Sequence, residues 1–229
     1  MMIQTLKSRD DYDEGYYRDL YIRPIFTRIG LSKIYYLWIA YFCIKIAAGL
    51  KRGARVLDFG CGIGNLVWAL RKIGLDAQGI DPSKPAQKYC RAPQYCRYED
   101  TRRIPYEDRS FDLVYTHEVL EHLSDEDLRF ALQELSRVSR GKTLHMICVK
   151  ERGKFVTLEP THKIIQTESW WKKTFEELGF RVKTGNLFYF FPFIPYLFAG
   201  TLNFRAIKKG FFILYERRGE KLYSGINSK

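Results

Sequence analysis

A three-layer α/β/α sandwich around a seven-stranded, mostly parallel sheet with an antiparallel last strand is the fold that this 229-residue sequence predicts. Three observations carry the prediction. From about residue 54 onward, short β-branched runs alternate with helical patterns, the order that builds a parallel sheet covered by helices. A glycine-rich turn stands between the first such strand and the first such helix. Two further apolar runs follow the last helix, with an uncharged apolar stretch between them.

Taken in order, Ala54 to Asp58 is the first strand, and Asn65 to Ile73 is a helix closed by Gly74 at its C′ position. Asp76 to Asp81 is the second strand, followed by a short helix from Ser83 that accepts Pro85 in its first turn. The third and fourth strands fall near Gln94 to Tyr98 and at Phe111 to Thr116. Ser124, with Asp127 three residues on, resembles a capping box and opens a helix whose Leu128, Leu132, Leu135 and Val138 share one face. Thr143 to Val149 is the fifth strand and Glu168 to Leu178 a helix stopped by Gly179. Phe180 to Phe190 and Phe211 to Arg217 complete the sheet.

Residues 1–50 read as an N-terminal helical extension and 51–229 as the α/β domain, with an apolar insertion at about 190–210. Ile34 to Leu50 is long and apolar but carries Lys45 and runs straight into the first strand, so it is expected to cover the sheet rather than span a membrane. Leu187 to Phe204 has no charge but is broken by Pro192, Pro195 and Gly200. Hydrophobic residues at 46% and charged residues at 28% exclude a disordered chain. The five cysteines form no C-x-x-C pair, and the charged N-terminus lacks the apolar segment of a signal peptide, which leads to the expectation of a reduced, cytoplasmic protein. A net charge of +12, with 16 Phe, 16 Tyr and 4 Trp, leaves nucleic acid, an anionic surface or a phosphate-bearing molecule as classes of partner.

The most informative segment is Val56 to Asn65, which places Gly60, Gly62 and Gly64 between strand and helix. Glycines let the backbone turn sharply and approach a ligand, and the helix N-terminus behind them offers N–H groups. A nicotinamide dinucleotide fold needs G-x-G-x-x-G, whereas here the third glycine comes one residue early. Asp58, before the glycines, would repel a pyrophosphate and suits a ligand bearing a cationic group. Asp81 ends the second strand, where a carboxylate accepts hydrogen bonds from ribose hydroxyls.

The chain here resembles the class I S-adenosylmethionine-dependent methyltransferases of the small-molecule type, a Rossmann-like family. The resemblance covers about residues 54 to 185. It rests on V-L-D-x-G-C-G-x-G, on G-I-D-P-S, on F-D-L-V-x-x-x-E-V-L-E-H and on P-T-H…W…F-E-E-L-G-F, all in order. It implies that S-adenosyl-L-methionine is the cofactor, with Asp58, Gly60, Cys61, Gly62 and Gly64 around its methionine part, Asp81 on the ribose and Pro82 beside the adenine. It further implies Asp100 on the adenine amino group, with Thr101 next to it and Glu99 as the neighbouring candidate, and His117 along the methionine moiety. Tyr12, Tyr16 and Tyr17 are read as surface or core tyrosines, with closure over the cofactor as the alternative.

Because a sulfonium methyl is already activated, such an enzyme has to position the acceptor, exclude water and, for a hydroxyl, remove a proton. His162, in Glu-Pro-Thr-His after the fifth strand, is the first base candidate and His122 the second. Glu118, Glu121 and His122 also match an E-x-x-E-H metal pattern, but the same string starts a helix in metal-free relatives, and no metal is expected. Neither N/D-P-P-Y nor a Pro-Cys nucleophile is present. The expected acceptor is a small-molecule or lipid-linked metabolite, methylated at a hydroxyl, with the insertion Pro192 to Gly210 choosing it; a peripheral membrane contact through 187–210 and an ordinary dimer or lid contact are the two readings of that segment. An RNA or protein methyltransferase is the alternative raised by the charge, with nucleic acid disfavoured because no RNA-binding module is recognisable. A cofactor-binding scaffold without turnover is the non-enzyme alternative, and a homo-oligomer is left open.

Overall fold

The structure is a computed structural model and describes residues 12–19, 30–149, 161–185 and 209–216. Its seven strands are β1 (Arg55–Phe59), β2 (Asp76–Asp81), β3 (Cys96–Tyr98), β4 (Leu113–His117), β5 (Lys142–Cys148), β6 (Phe180–Gly185) and β7 (Lys209–Glu216). They form one sheet in the order β3-β2-β1-β4-β5-β7-β6. β1 to β5 pair in parallel, while β7 runs antiparallel to both β5 and β6. The doubly wound sheet with its reversed last strand is therefore as the sequence predicts.

Helices cover both faces. Alternation along the strands sends Leu57, Val114 and Ile147 to one side, under α5 (Asp125–Val138) and α6 (Glu168–Glu177), where Trp171 and Phe175 are fully buried. Val56, Leu113, Tyr115 and Leu144 face the other side, under α3 (Asn65–Lys72) and α2 (Leu31–Trp38). The last of these continues as a π-helix over Ile39–Ile46, whose Ile39, Ala40, Cys43 and Ile44 are buried in the same core. The expectation that this apolar run covers the sheet holds, and among the described residues no helix is long and apolar enough to cross a membrane.

Two short helices complete the set, α1 (Glu14–Tyr17) and α4 (Lys84–Gln87). The Ser124 hydroxyl caps α5 by accepting from Asp127 N at 3.1 Å, but Asp127 returns its carboxylate to the Ser124 hydroxyl at 2.8 Å rather than to the backbone, so the box closes through side chains. β3 is shorter than Gln94 to Tyr98, because Pro93 starts a 3-10 turn that runs to Tyr95. β4 begins later than expected: Phe111 makes an isolated bridge to Ser139 ahead of the strand. The rest of the run to Phe190, Arg217 and the apolar insertion at 190–210, apart from the start of β7, lie outside the described residues.

Candidate functional site

The carboxyl ends of β2, β1 and β4 lie side by side, and the loops leaving them build the site, as expected where a doubly wound sheet changes direction. The loop after β1 needs its glycines for different reasons. Gly60, at φ +80°, lies so close to the turn after β4 that a Cβ would meet Val119 Cγ2 at 2.4 Å. Gly62, at φ +50°, has nothing within 4 Å of where a Cβ would stand. The first fits the loop to the fold, and the second leaves an open face above it. Gly60 N and Cys61 N both donate to Ile80 O, at 2.8 and 3.1 Å, tying the loop to β2, and Gly64 caps α3.

Two acids face this loop. Asp81 accepts from Gly62 N and from Ser83 N, each at 2.8 Å, so one backbone amide orients each oxygen and a second lone pair stays available on both. Burial raises its pKa, and the two amides pull it back. Asp58 is buried too, and among the described residues burial and then the nearby Asp81 push its pKa up to about 8. A buried carboxyl with no compensating cation is costly to ionise and is stabilised by a positively charged ligand.

The N-terminal segment closes over these ends. Ser83 Oγ donates to Tyr12 O at 3.3 Å, and the Tyr12 hydroxyl lies 3.0 Å from His122 Nδ1. Since Ser83 follows β2 and His122 follows β4, Tyr12 bridges the two loops on either side of β1. Tyr17 is buried with Ile63 and Ala86, while Glu14 accepts from Lys88 Nζ at 2.6 Å and from the Tyr89 hydroxyl at 2.9 Å. Tyr17 is thus a core tyrosine, in line with the sequence expectation, and Tyr12 and Tyr16 pack partly buried against the same cluster.

His122 sits in the 3-10 turn Leu120–His122; its Nδ1 is also 3.0 Å from Thr161 Oγ1, and the His162 ring packs edge-on with centroids 4.6 Å apart. The structure therefore brings together both base candidates, 40 residues apart in sequence. Glu121 is turned the other way, accepting from Cys148 N at 2.7 Å in the core, so the Glu121 and His122 side chains of the E-x-x-E-H string diverge. Among the described residues no group of three His, Cys, Asp or Glu is arranged to hold a metal ion.

Of the other residues singled out in the sequence, Cys61 is buried in the loop, Pro82 is exposed just past β2, and His117 ends β4 with its ring edge-on to Tyr115. Asp100 and Thr101 follow β3, where Asp100 accepts from Arg102 N at 3.0 Å, and Glu99 is an exposed neighbour. Sequence reasoning passed over three features. The Tyr98 hydroxyl donates to Gly62 O at 2.8 Å and ties the loop to the end of β3. Tyr36, from α2, lies beside Asn65 and close to Asp58 and Glu118. Glu118 itself has φ +54°, an unusual backbone state for a residue with a side chain, at the turn out of β4.

The methyltransferase domain family model matches residues 57–146. An uncharacterized methyltransferase of Schizosaccharomyces pombe is 32% identical over 120 residues, covering 44% of this chain and 41% of that protein. The chain spans about two fifths of the length of the first curated relatives it matches, 41% of each. Among solved structures, a chain of the complex between the Haloferax volcanii Trm112 methyltransferase activator and a methyltransferase superposes with a TM-score of 0.66 at 18% identity, covering 94% of this chain and 100% of that one. Phosphoethanolamine N-methyltransferase 2 of Haemonchus contortus, in complex with S-adenosyl-L-methionine, gives 0.60 at 17% identity over 88% of this chain and 60% of that one. At such identities the solved structures show the fold, and residues 57–146 match the methyltransferase domain family model.

Proposed function

We propose that the chain transfers the methyl group of S-adenosyl-L-methionine to a hydroxyl of a small-molecule or lipid-linked acceptor. The observation that carries the reading is the pair of neighbouring buried acids at the ends of β1 and β2, one of them accepting from Gly62 N, beside the loops that Tyr12 bridges. A ligand joining a sulfonium and an ammonium group to a ribose fits this arrangement. Asp58 would oppose the cationic end, and the oriented oxygens of Asp81 would receive the ribose hydroxyls. Pro82, Asp100 and Thr101 stand on the adenine side, and Cys61, Gly60, Gly64 and His117 on the methionine side.

When bound, the cofactor supplies a methyl group already activated for in-line displacement. The protein has the remaining tasks. The Tyr12 bridge excludes water from the mouth of β1. His122, held by Tyr12 and Thr161 hydroxyls, and His162, packed on it, are the groups placed to take the proton of an acceptor hydroxyl. An imidazole is suited to this because its ordinary pKa lies near neutrality.

The test is to incubate the protein with methyl-labelled cofactor and an extract of its own host and to identify what becomes labelled. A labelled small molecule or lipid, lost with His122→Ala, is expected. Label in RNA or protein would overturn the acceptor class, and tight cofactor retention without any labelled product would overturn the enzyme.

A further inference from the structure

We infer that the outer face of α2 and of its π-helical continuation is a docking surface for an anionic lipid bilayer. The inner face of this helix is fixed in the core by Ile39, Ala40, Cys43 and Ile44. Its outer face presents Ile34 at 63%, Ile46 at 52%, Tyr41 at 41% and Phe42 at 39% exposure, a set of large apolar side chains on one rigid element. The π-helical winding matters here. In an α-helix, residues four apart drift steadily round the axis, whereas the wider turn of a π-helix brings positions four and five apart back into line. Ile34, half-buried Trp38, Phe42 and Ile46 recur every fourth residue along this stretch.

The charge pattern selects the occupant. Between Leu20 and Leu57 the sequence carries seven Lys or Arg and not one Asp or Glu. Lys33 is exposed near the start of the helix, Lys45 lies over the Tyr41 ring at 5.4 Å, and Lys51 and Arg52 are exposed just beyond its end. Apolar and aromatic side chains bordered by cations, on a helix too short to span, are what a helix lying in a headgroup layer needs. A second copy of the chain is a poor occupant, because a two-fold interface would set this acid-free helix against itself and bring like charges together. The inner face of the same helix carries Tyr36 beside Asn65 and near Asp58, so docking here would bring the rim of the site to the bilayer. In that respect the inference rests on the lipid-linked acceptor proposed above.

The test is flotation of the full chain with vesicles of phosphatidylcholine alone and of phosphatidylcholine with phosphatidylglycerol, in parallel with calorimetry of S-adenosylhomocysteine binding. Binding to the anionic vesicles is expected, with at least a tenfold loss in Ile34→Gln/Tyr41→Gln/Ile46→Gln and, separately, in Lys33→Glu/Lys51→Glu/Arg52→Glu. Both variants should keep cofactor affinity and the wild-type melting temperature. Flotation that survives both sets of substitutions overturns the inference and assigns the contact to another part of the chain. Absence of flotation with either vesicle overturns it as well, as does a wild-type dimer that the first variant converts to monomer. Loss of cofactor binding by the wild-type protein would instead count against the proposed function alone.

Discussion

The Tyr12 hydroxyl and His122 Nδ1 stand 3.0 Å apart, although the residues are 110 positions apart in the chain. This contact ties the N-terminal segment to the turn after β4 and closes the bridge begun at Ser83. Tyr12→Phe keeps the ring and removes only the hydroxyl. A hydrogen bond of this kind is worth about 1 kcal/mol, so cofactor binding is expected to weaken roughly fivefold with the melting temperature nearly unchanged. Calorimetry with S-adenosylhomocysteine and a thermal melt check both parts. A large stability loss would mean that Tyr12 holds the fold rather than the site.

The His122 and His162 rings form an edge-on pair, and the two substitutions separate the roles. If His122 takes the acceptor proton, His122→Ala lowers the transfer rate by about 10²–10⁴-fold, while cofactor affinity falls only by the roughly fivefold that loss of the Tyr12 hydrogen bond costs. His162→Ala would then give a smaller loss, through the packing of His122. Equal and large losses would place both imidazoles at the acceptor. Single-turnover rates with the labelled product identified above are the measurement.

Gly60 and Gly62 look equivalent in sequence but not in space. Gly60→Ala drives a Cβ to 2.4 Å from Val119 Cγ2 and adds left-handed strain, so it should cost about 2–4 kcal/mol of stability and lose the cofactor too. The Cβ of Gly62→Val meets no neighbour within 4 Å; the substitution should cost about 1–2 kcal/mol from left-handed strain, less than Gly60→Ala, while filling the open face and abolishing binding. Thermal unfolding beside calorimetry distinguishes the two. A Gly62→Val protein that still binds the cofactor would show that the ligand does not lie above this loop.

Residues that signal locally are the ones the sequence makes legible. The positive φ angles of Gly60, Gly62 and Gly64 are demanded by a strand–turn–helix passage of a few residues, and Asp58 and Asp81 stand at the strand ends flanking it. The reversed β7 follows from two late strands after the last helix. What was not legible depends on distant parts of the chain or on backbone states without a local signature. Nothing near Tyr12 announces His122, and nothing near Tyr36 announces Asn65. The string from Glu118 to His122 illustrates the second kind of difficulty. It reads as a continuous helical metal pattern, but Glu118 turns at φ +54° and the 3-10 turn sends Glu121 inward to Cys148 N. β3 fell short for a similar reason, since Pro93 begins a 3-10 turn where alternation alone would start the strand.

Asp58 should make both cofactor binding and stability depend on pH, with opposite signs. In the folded protein burial, together with Asp81, holds its pKa up near 8, against 3.8 for the free side chain. The folded state therefore binds the extra proton between these values. Its contribution to stability is fully present below the lower value and is lost as pH rises through about 8. His145 acts in the other direction. It is buried between Thr116 and Thr143, its pKa lowered to about 3 by burial, so its contribution is present above the ordinary histidine range and is lost as pH falls toward 3. The two slopes oppose each other between about 4 and 6.5, and above that the Asp58 slope is no longer offset by His145, while Asp81, whose pKa burial also raises, acts in the same direction as Asp58. The melting temperature of the cofactor-free protein is thus expected to fall between pH 6.5 and 8, and Asp58→Asn should flatten that fall. A cationic ligand needs the carboxylate, so its binding should strengthen with pH by up to about tenfold per unit until about pH 8, with a proton released on binding. Calorimetry in buffers of different ionisation enthalpy detects that proton. If its uptake or release is absent and affinity is flat from pH 6 to 8, Asp58 does not face the cationic part of the ligand.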